Sequence, residues 1–100
     1  MQKVDYHEQK FDQGKLRMDL IPPNTINTLA QVLTYGANKY RPNGWKAVDD
    51  ATERYYSAAM RHLMAWRSGE FTDPESGMSH LAHVLTNIAF LIEFEEGYVD

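Results

Sequence analysis

Three histidines stand at spacings that could do chemistry. His80, His83 and Asn87 follow one another at intervals of three and four residues, so on an α-helix they share one stripe. Tyr55, Ala59, His62 and Trp66 make a second stripe at the same period, with Arg61 beside it. Between the two runs Glu70-Phe71-Thr72-Asp73-Pro74-Glu75-Ser76-Gly77, a loop with three acids. A short connection favours antiparallel packing of the flanking helices. His62 then comes within reach of His80 and His83, and the acidic loop closes one end of the cleft. Neutral imidazoles with carboxylate oxygens suit Mn²⁺, Zn²⁺ or Fe²⁺, whereas Mg²⁺ prefers an oxygen-only shell. A His-x-x-His pair on a helix serves equally well to satisfy buried polar neighbours, so spacing alone leaves both roles open.

A second set is cationic and aromatic: Lys15, Arg17, Tyr35, Lys39, Tyr40, Arg41, Trp45, Lys46, Tyr55 and Arg61. Rings that stack on a base, interleaved with side chains that grip phosphate, are what a nucleotide site needs. The planar fork of Arg meets two phosphate oxygens at once. Tyr and Trp at helix ends also occur as core edges with a wet hydroxyl or indole. The chain has no phosphate-binding glycine loop, no dinucleotide fingerprint, no Gly-x-Ser-x-Gly elbow and no cysteine nucleophile. Any chemistry is therefore metal-assisted or absent.

These side chains must be positioned by helices, and the pattern predicts an all-α fold with three of them. Residues 1–22 lack a sustained period and end at Pro22-Pro23, which predicts an extended arm lying on the domain. Asn24 or Thr25 can cap a first helix, in which Ile26, Leu29, Val32 and Leu33 line one face as far as about Ala37. Pro42-Asn43-Gly44 is turn chemistry. A second helix starts at Asp49 or Asp50 and stops at Ser68-Gly69; a third covers about Met78 to Glu95 and ends at Gly97. The third is apolar over more than one face, with Leu81, Val84, Leu85, Ile88, Phe90, Leu91 and Ile92 among others. Such a helix must be covered on several sides, so a small helical bundle completed by homo-oligomerisation is expected.

Composition sets the outer bounds. One hundred residues with 43% apolar and 24% charged side chains fit one helical domain, residues 23–97 plus the arm, and exclude a disordered tail. No apolar run reaches the roughly 20 residues that cross a bilayer, and the N-terminus shows no signal-peptide core. No membrane partner is expected. The absence of cysteine suits a reducing cytoplasm. All Lys and Arg lie within residues 1–67, which carry +3, while residues 68–100 carry −7, together giving the net −4. Folding brings the halves together, so no broad basic face for duplex nucleic acid is expected.

The motifs resemble a known family. Lys15-Leu16-Arg17-Met18-Asp19-Leu20-Ile21-Pro22, Gly36-Ala37-Asn38-Lys39-Tyr40, Asn43-Gly44-Trp45, Arg61-His62-Leu63, Gly69-Glu70, Glu75-Ser76-Gly77, His80-Leu81-Ala82-His83 and Asn87 occur in order over about residues 10–95. This succession resembles the dATP/dGTP diphosphohydrolase N-terminal domain, found mostly in bacteriophages and prophages. The resemblance implies kinship with MazG-like all-α nucleotide pyrophosphohydrolases, which release pyrophosphate from a nucleoside triphosphate using metal held by acids on two helices. Their Glu-Leu-Ala-Asp-Val run corresponds here to His80-Leu81-Ala82-His83-Val84, and Tyr55 to Trp66 contains no acid. The implied site is accordingly altered: His62, His80 and His83 with an acid from Glu70, Asp73 or Glu75 around Mn²⁺, Mg²⁺ or Zn²⁺. Glu70 or Asp73 would be the general base. Lys15, Arg17, Tyr35, Lys39, Tyr40, Trp45, Tyr55, Arg61 and Asn87 would hold the nucleotide. The missing acids suit a second class of function, a non-catalytic protein that sequesters a nucleotide such as a signal of host antiviral defence. A structural or protein-interaction module is a third.

Overall fold

The computed structural model describes residues 11–97. Three α-helices carry the architecture: α1 (Pro23–Lys39), α2 (Ala51–Arg67) and α3 (His80–Glu95), with single 3-10 turns at Met18–Leu20 and Gly44–Ala47. Among the described residues the only β-type pairing is an isolated antiparallel bridge between Thr72 and Ser79. The fold is all-α, as the pattern predicts.

Two boundaries differ from the sequence expectation for local reasons. Helix α1 begins one turn position earlier than an Asn24 or Thr25 cap would allow, because Pro23 occupies its first position and Pro22 is its N-cap. Proline lacks only an N–H that would be unpaired there anyway, and its fixed φ suits the helix. Helix α3 starts at His80 rather than Met78, because Ser79 caps it by accepting the Leu81 N–H. The arm also departs from expectation. Residues 11–22 are exposed throughout and include the Met18–Leu20 turn, so this stretch does not lie on the domain. Residues 1–10 of the arm lie outside the described residues.

Helix α3 is the centre, packed along α2 and against α1. The α2–α3 seam runs antiparallel: Tyr55 near the start of α2 meets Phe90 and Phe94, and His62 further along meets His80 and His83. Small side chains make this seam close. Ala59, Ala82 and Thr86 are buried, and the Thr86 hydroxyl donates to the Ala82 carbonyl within its own helix. Towards the C-terminal end of α3, Trp45 stacks on Phe90 with centroids 4.5 Å apart, and Phe94 meets its edge at 6.0 Å. The Tyr55 hydroxyl donates to the Trp45 carbonyl at 2.7 Å, tying the turn before α2 to that cluster. Burial pushes the Tyr55 phenol up from its ordinary pKa.

The large apolar side chains mostly face outwards. Tyr56, Met60, Leu63 and Met64 form an exposed stripe on α2 at helical spacing, and Leu81, Ile88 and Ile92 do so on α3. No helix among the described residues is long and apolar enough to cross a membrane.

Candidate functional site

The site is built around the link from α2 to α3. Helix α2 ends in a paired reverse turn: the Gly69 N–H donates to the Trp66 carbonyl and the Glu70 N–H to the Ala65 carbonyl, both at 3.0 Å. This turn requires a left-handed residue, and Gly69 supplies it at φ 105°. The chain is thereby folded back so that Glu70 lies beside the N-terminus of α3. Gly69→Ala, with open space around the new methyl group, is expected to cost about 1–2 kcal/mol through backbone strain alone. Chemical denaturation measures it.

Beyond Glu70 the loop closes on itself. The Asp73 N–H donates to the Met78 carbonyl at 2.7 Å, the Gly77 N–H to the Asp73 carbonyl at 2.8 Å, and the His80 N–H to the Phe71 carbonyl at 2.8 Å. Ser76 is the hub of its polar side. Its hydroxyl lies 3.1 Å from Asp73 Oδ2 as donor, accepts the Met78 N–H at 3.2 Å, and sits 2.6 Å from His83 Nε2. Asp73 Oδ2 is itself 3.5 Å from His83 Nε2.

The imidazoles meet as the stripes predict. His62 Nδ1 and His80 Nδ1 are 2.8 Å apart, and His80 Nε2 lies 2.7 Å from Glu70 Oε1. The His62 ring stacks on His83, with centroids 4.6 Å apart and planes 17° from parallel. His80 is buried at 4% exposure. Six side chains (Glu70, Asp73, Ser76, His62, His80 and His83) thus form one connected polar network across α2, the loop and α3. Ser76 had no place among the residues singled out as site candidates; its position three residues after Asp73 in a Pro-containing turn is the signal that could have found it.

Burial lowers the pKa of His62, an effect reinforced by nearby His83, His80 and Arg61 and opposed by Asp73. Burial also lowers that of His83 against the pull of Asp73 and Glu75, with His80 adding to the lowering. Both rings are therefore neutral at pH 7. Burial pushes the Asp73 carboxyl up, but the Glu75 N–H and the Ser76 hydroxyl bonded to it, with His83 and His62 close by, hold it below its ordinary value. The consequence for stability has a definite sign. Unfolded histidine takes up protons around pH 6.5, whereas folded His62 and His83 take them up only at lower pH. The unfolded chain thus binds more protons in that window, and stability is lost as pH falls from about 6.5 through the folded values. The melting temperature is expected to hold above about pH 7 and to drop below it. A flat profile from neutral to mildly acid pH would contradict the assignment.

The other candidates fall into separate places. Lys39, at the end of α1, reaches the loop and pairs with Glu75 Oε1 at 2.5 Å, its ammonium 5.8 Å from the Tyr35 centroid and 5.1 Å from that of Tyr40. This pairing raises the Lys39 pKa. Trp45 and Tyr55 belong to the aromatic cluster about two helical turns away from the imidazoles, where Phe90 covers one face of the indole. Arg61 donates to Ser57. Arg17 holds Asp19 through two parallel bonds of 2.9 and 2.8 Å, and like Lys15 it lies on the exposed arm. Asn87 is buried and donates to the His83 carbonyl. The loop and α1 thus bring Lys39, Tyr35 and Tyr40 alongside the acids. Arg61, Arg17 and Lys15 bind partners of their own or stand on the arm.

As placed, His62 and His80 bond to each other and do not chelate an ion. Two nitrogens bound to one tetrahedral ion at 2.0–2.1 Å would lie roughly 3.3 Å apart, whereas the His62 and His80 nitrogens face each other at hydrogen-bond distance. Among the described residues no group of three or more His, Asp or Glu could hold an ion.

Fold and network together define a small all-α domain that carries a connected polar network of imidazoles and carboxylates between α2, the loop and α3. Residues 5–99 match the family described as dATP/dGTP diphosphohydrolase, N-terminal, and the chain belongs to that family. It is 34% identical over 82 residues to a protein of Salmonella phage PMBT28 named dATP/dGTP diphosphohydrolase. That similarity covers 82% of this chain and 28% of the relative, so the chain spans less than a third of the relative's length. No solved structure matches.

Proposed function

We propose that the polar network joining α2, α3 and the loop at residues 68–79 acts on a purine deoxynucleoside triphosphate, splitting it into monophosphate and pyrophosphate. The observation that carries this reading is the connected network of His62, His80, His83, Glu70 and Asp73; the name of the phage relative supports the substrate class. In this reading water attacks the α-phosphorus and the bond to the α,β-bridging oxygen breaks. Pyrophosphate leaves, and the water proton passes to the neutral ring of His62. Glu70 and Asp73, the acids expected as base, act here through the imidazoles they contact. Three carboxylates and one ammonium around the loop repel a bare triphosphate. The nucleotide therefore arrives as its Mg²⁺ or Mn²⁺ salt, with the ion as part of the substrate. Lys39 is the cation closest to the loop, released from Glu75 when phosphate competes for it.

A second reading, retention of an intact nucleotide, is favoured by one observation: the Nδ1 atoms of His62 and His80 bond to each other. One experiment separates the two. The protein is incubated with dATP, dGTP and cyclic nucleotides plus Mg²⁺ or Mn²⁺, and products are chromatographed before and after denaturation. Monophosphate with pyrophosphate in equal amounts supports hydrolysis. Nucleotide recovered intact only after denaturation supports sequestration. Neither retention nor turnover contradicts both.

The proposal includes a second copy of the chain. Tyr56, Met60, Leu63 and Met64 on α2 and Leu81, Ile88 and Ile92 on α3 leave two apolar stripes uncovered, which a second copy would bury. A stable interface of this kind buries about 800 Å² per partner. Sedimentation is expected to show self-association at micromolar concentration; a monomer there contradicts it.

A further inference from the structure

Hydrogen-bond polarity can be followed along the network from its most exposed member. The Glu70 carboxylate, its side chain 56% exposed, can only accept. The proton in the 2.7 Å contact must therefore sit on His80 Nε2. A neutral His80 then presents a bare lone pair at Nδ1. Only one proton fits between two nitrogens 2.8 Å apart, so it belongs to His62 Nδ1. That leaves Nε2 of His62 without a proton. The opposite polarity would put protons on both nitrogens of His80, a buried imidazolium whose one counter-charge, Glu70, stands 56% exposed to water.

Where that lone pair points is also constrained. His62 Nε2 makes no hydrogen bond among the described residues, and no buried side-chain nitrogen or oxygen there lacks a partner. The atom therefore reaches solvent. His83, stacked on the His62 ring, restricts its rotation. His83 is locked in turn: the Ser76 hydroxyl gives its hydrogen to Asp73, so it must accept from His83 Nε2.

We infer that Glu70 and His80 are positioning residues whose relay fixes the tautomer of His62, leaving its Nε2 as a bare, solvent-facing nitrogen ready to accept a proton. The relay stands on geometry alone, while its use on a water molecule rests on the hydrolytic reading above. Asp-type orientation of a single catalytic imidazole works on the same physics, with the partner on one nitrogen deciding the state of the other. Here the message passes through two rings rather than one.

Long-range ¹H–¹⁵N spectra of the labelled full chain at neutral pH, without nucleotide, read this directly. The expected result is a protonated Nδ1 and bare Nε2 on His62, with a protonated Nε2 on His80. Glu70→Ala removes the acceptor and is expected to shift both rings towards mixed tautomers. Glu70→Gln keeps an acceptor oxygen and is expected to restore the wild-type pattern. Glu70 is exposed enough that both variants keep the fold, which circular dichroism verifies. A proton on His62 Nε2 in the wild type, or rings indifferent to Glu70→Ala, overturns the relay. Because no nucleotide is present, absence of hydrolysis overturns the functional reading without touching this result.

Discussion

His62→Ala is expected to lower kcat for the proposed dGTP hydrolysis by about 10²–10⁴-fold, the usual contribution of a positioned general base, while KM changes little. The partition follows from the geometry. His62 offers a solvent-facing ring nitrogen, whereas the surrounding acids are engaged with His80, His83 and Ser76. Its removal deletes the proton acceptor and leaves Lys39 and the loop in place to meet the phosphates. Half-exposed as it is, His62 contributes modestly to packing, and the melting temperature should move by only a few degrees. Steady-state kinetics decides the matter. A variant with wild-type kcat would show that His62 takes no part in the chemistry.

Phe90→Ala has the largest expected effect on stability, about 3 kcal/mol. Its ring lies 4.5 Å from Trp45 and 4.9 Å from Tyr55, and it sits between the turn before α2 and α3 itself. The seam next to it is lined by alanine and threonine, so few large side chains are available to fill the gap. For a domain of this size the loss corresponds to a fall in melting temperature on the order of 15 °C. Nucleotide affinity measured below the transition is expected to be unchanged, because the aromatic cluster lies at the other end of the α2–α3 seam. A variant that melts normally but loses nucleotide would return Trp45 and Tyr55 to the role of base platform.

The helices and the meeting of the imidazoles are legible in the sequence because both depend on a local period. Residues three and four apart share a helix face whatever else happens, and a twelve-residue link between α2 and α3 leaves antiparallel packing as the simple outcome. What the period cannot give is the partner of each polar atom. Whether His62 and His80 turn their nitrogens towards an ion or towards each other is decided by rotamers and by Glu70, and Glu70 is placed by the left-handed Gly69. Trp45 and Tyr55 read as a nucleotide platform because residue type shows a stacking face but not what covers it. Phe90 and Phe94, four apart on α3, cover it here. Arg17 is similarly ambiguous: a free cation and one held two residues away by Asp19 look alike until the turn at Met18–Leu20 is known. The wide apolar coat of α3 was visible as an excess, and the structure leaves Leu81, Ile88 and Ile92 at its surface.

The central proposal is that nucleotide engages the network of imidazoles and acids. Its most direct test is a titration of the ¹⁵N-labelled chain with the magnesium salt of dGTP, following the ring signals of the histidines. The account predicts that His62, His80 and His83 shift together and saturate, and that Lys39→Ala weakens the effect. Saturable shifts confined to Trp45, Tyr55 or the arm, with the three imidazoles unmoved, would contradict it.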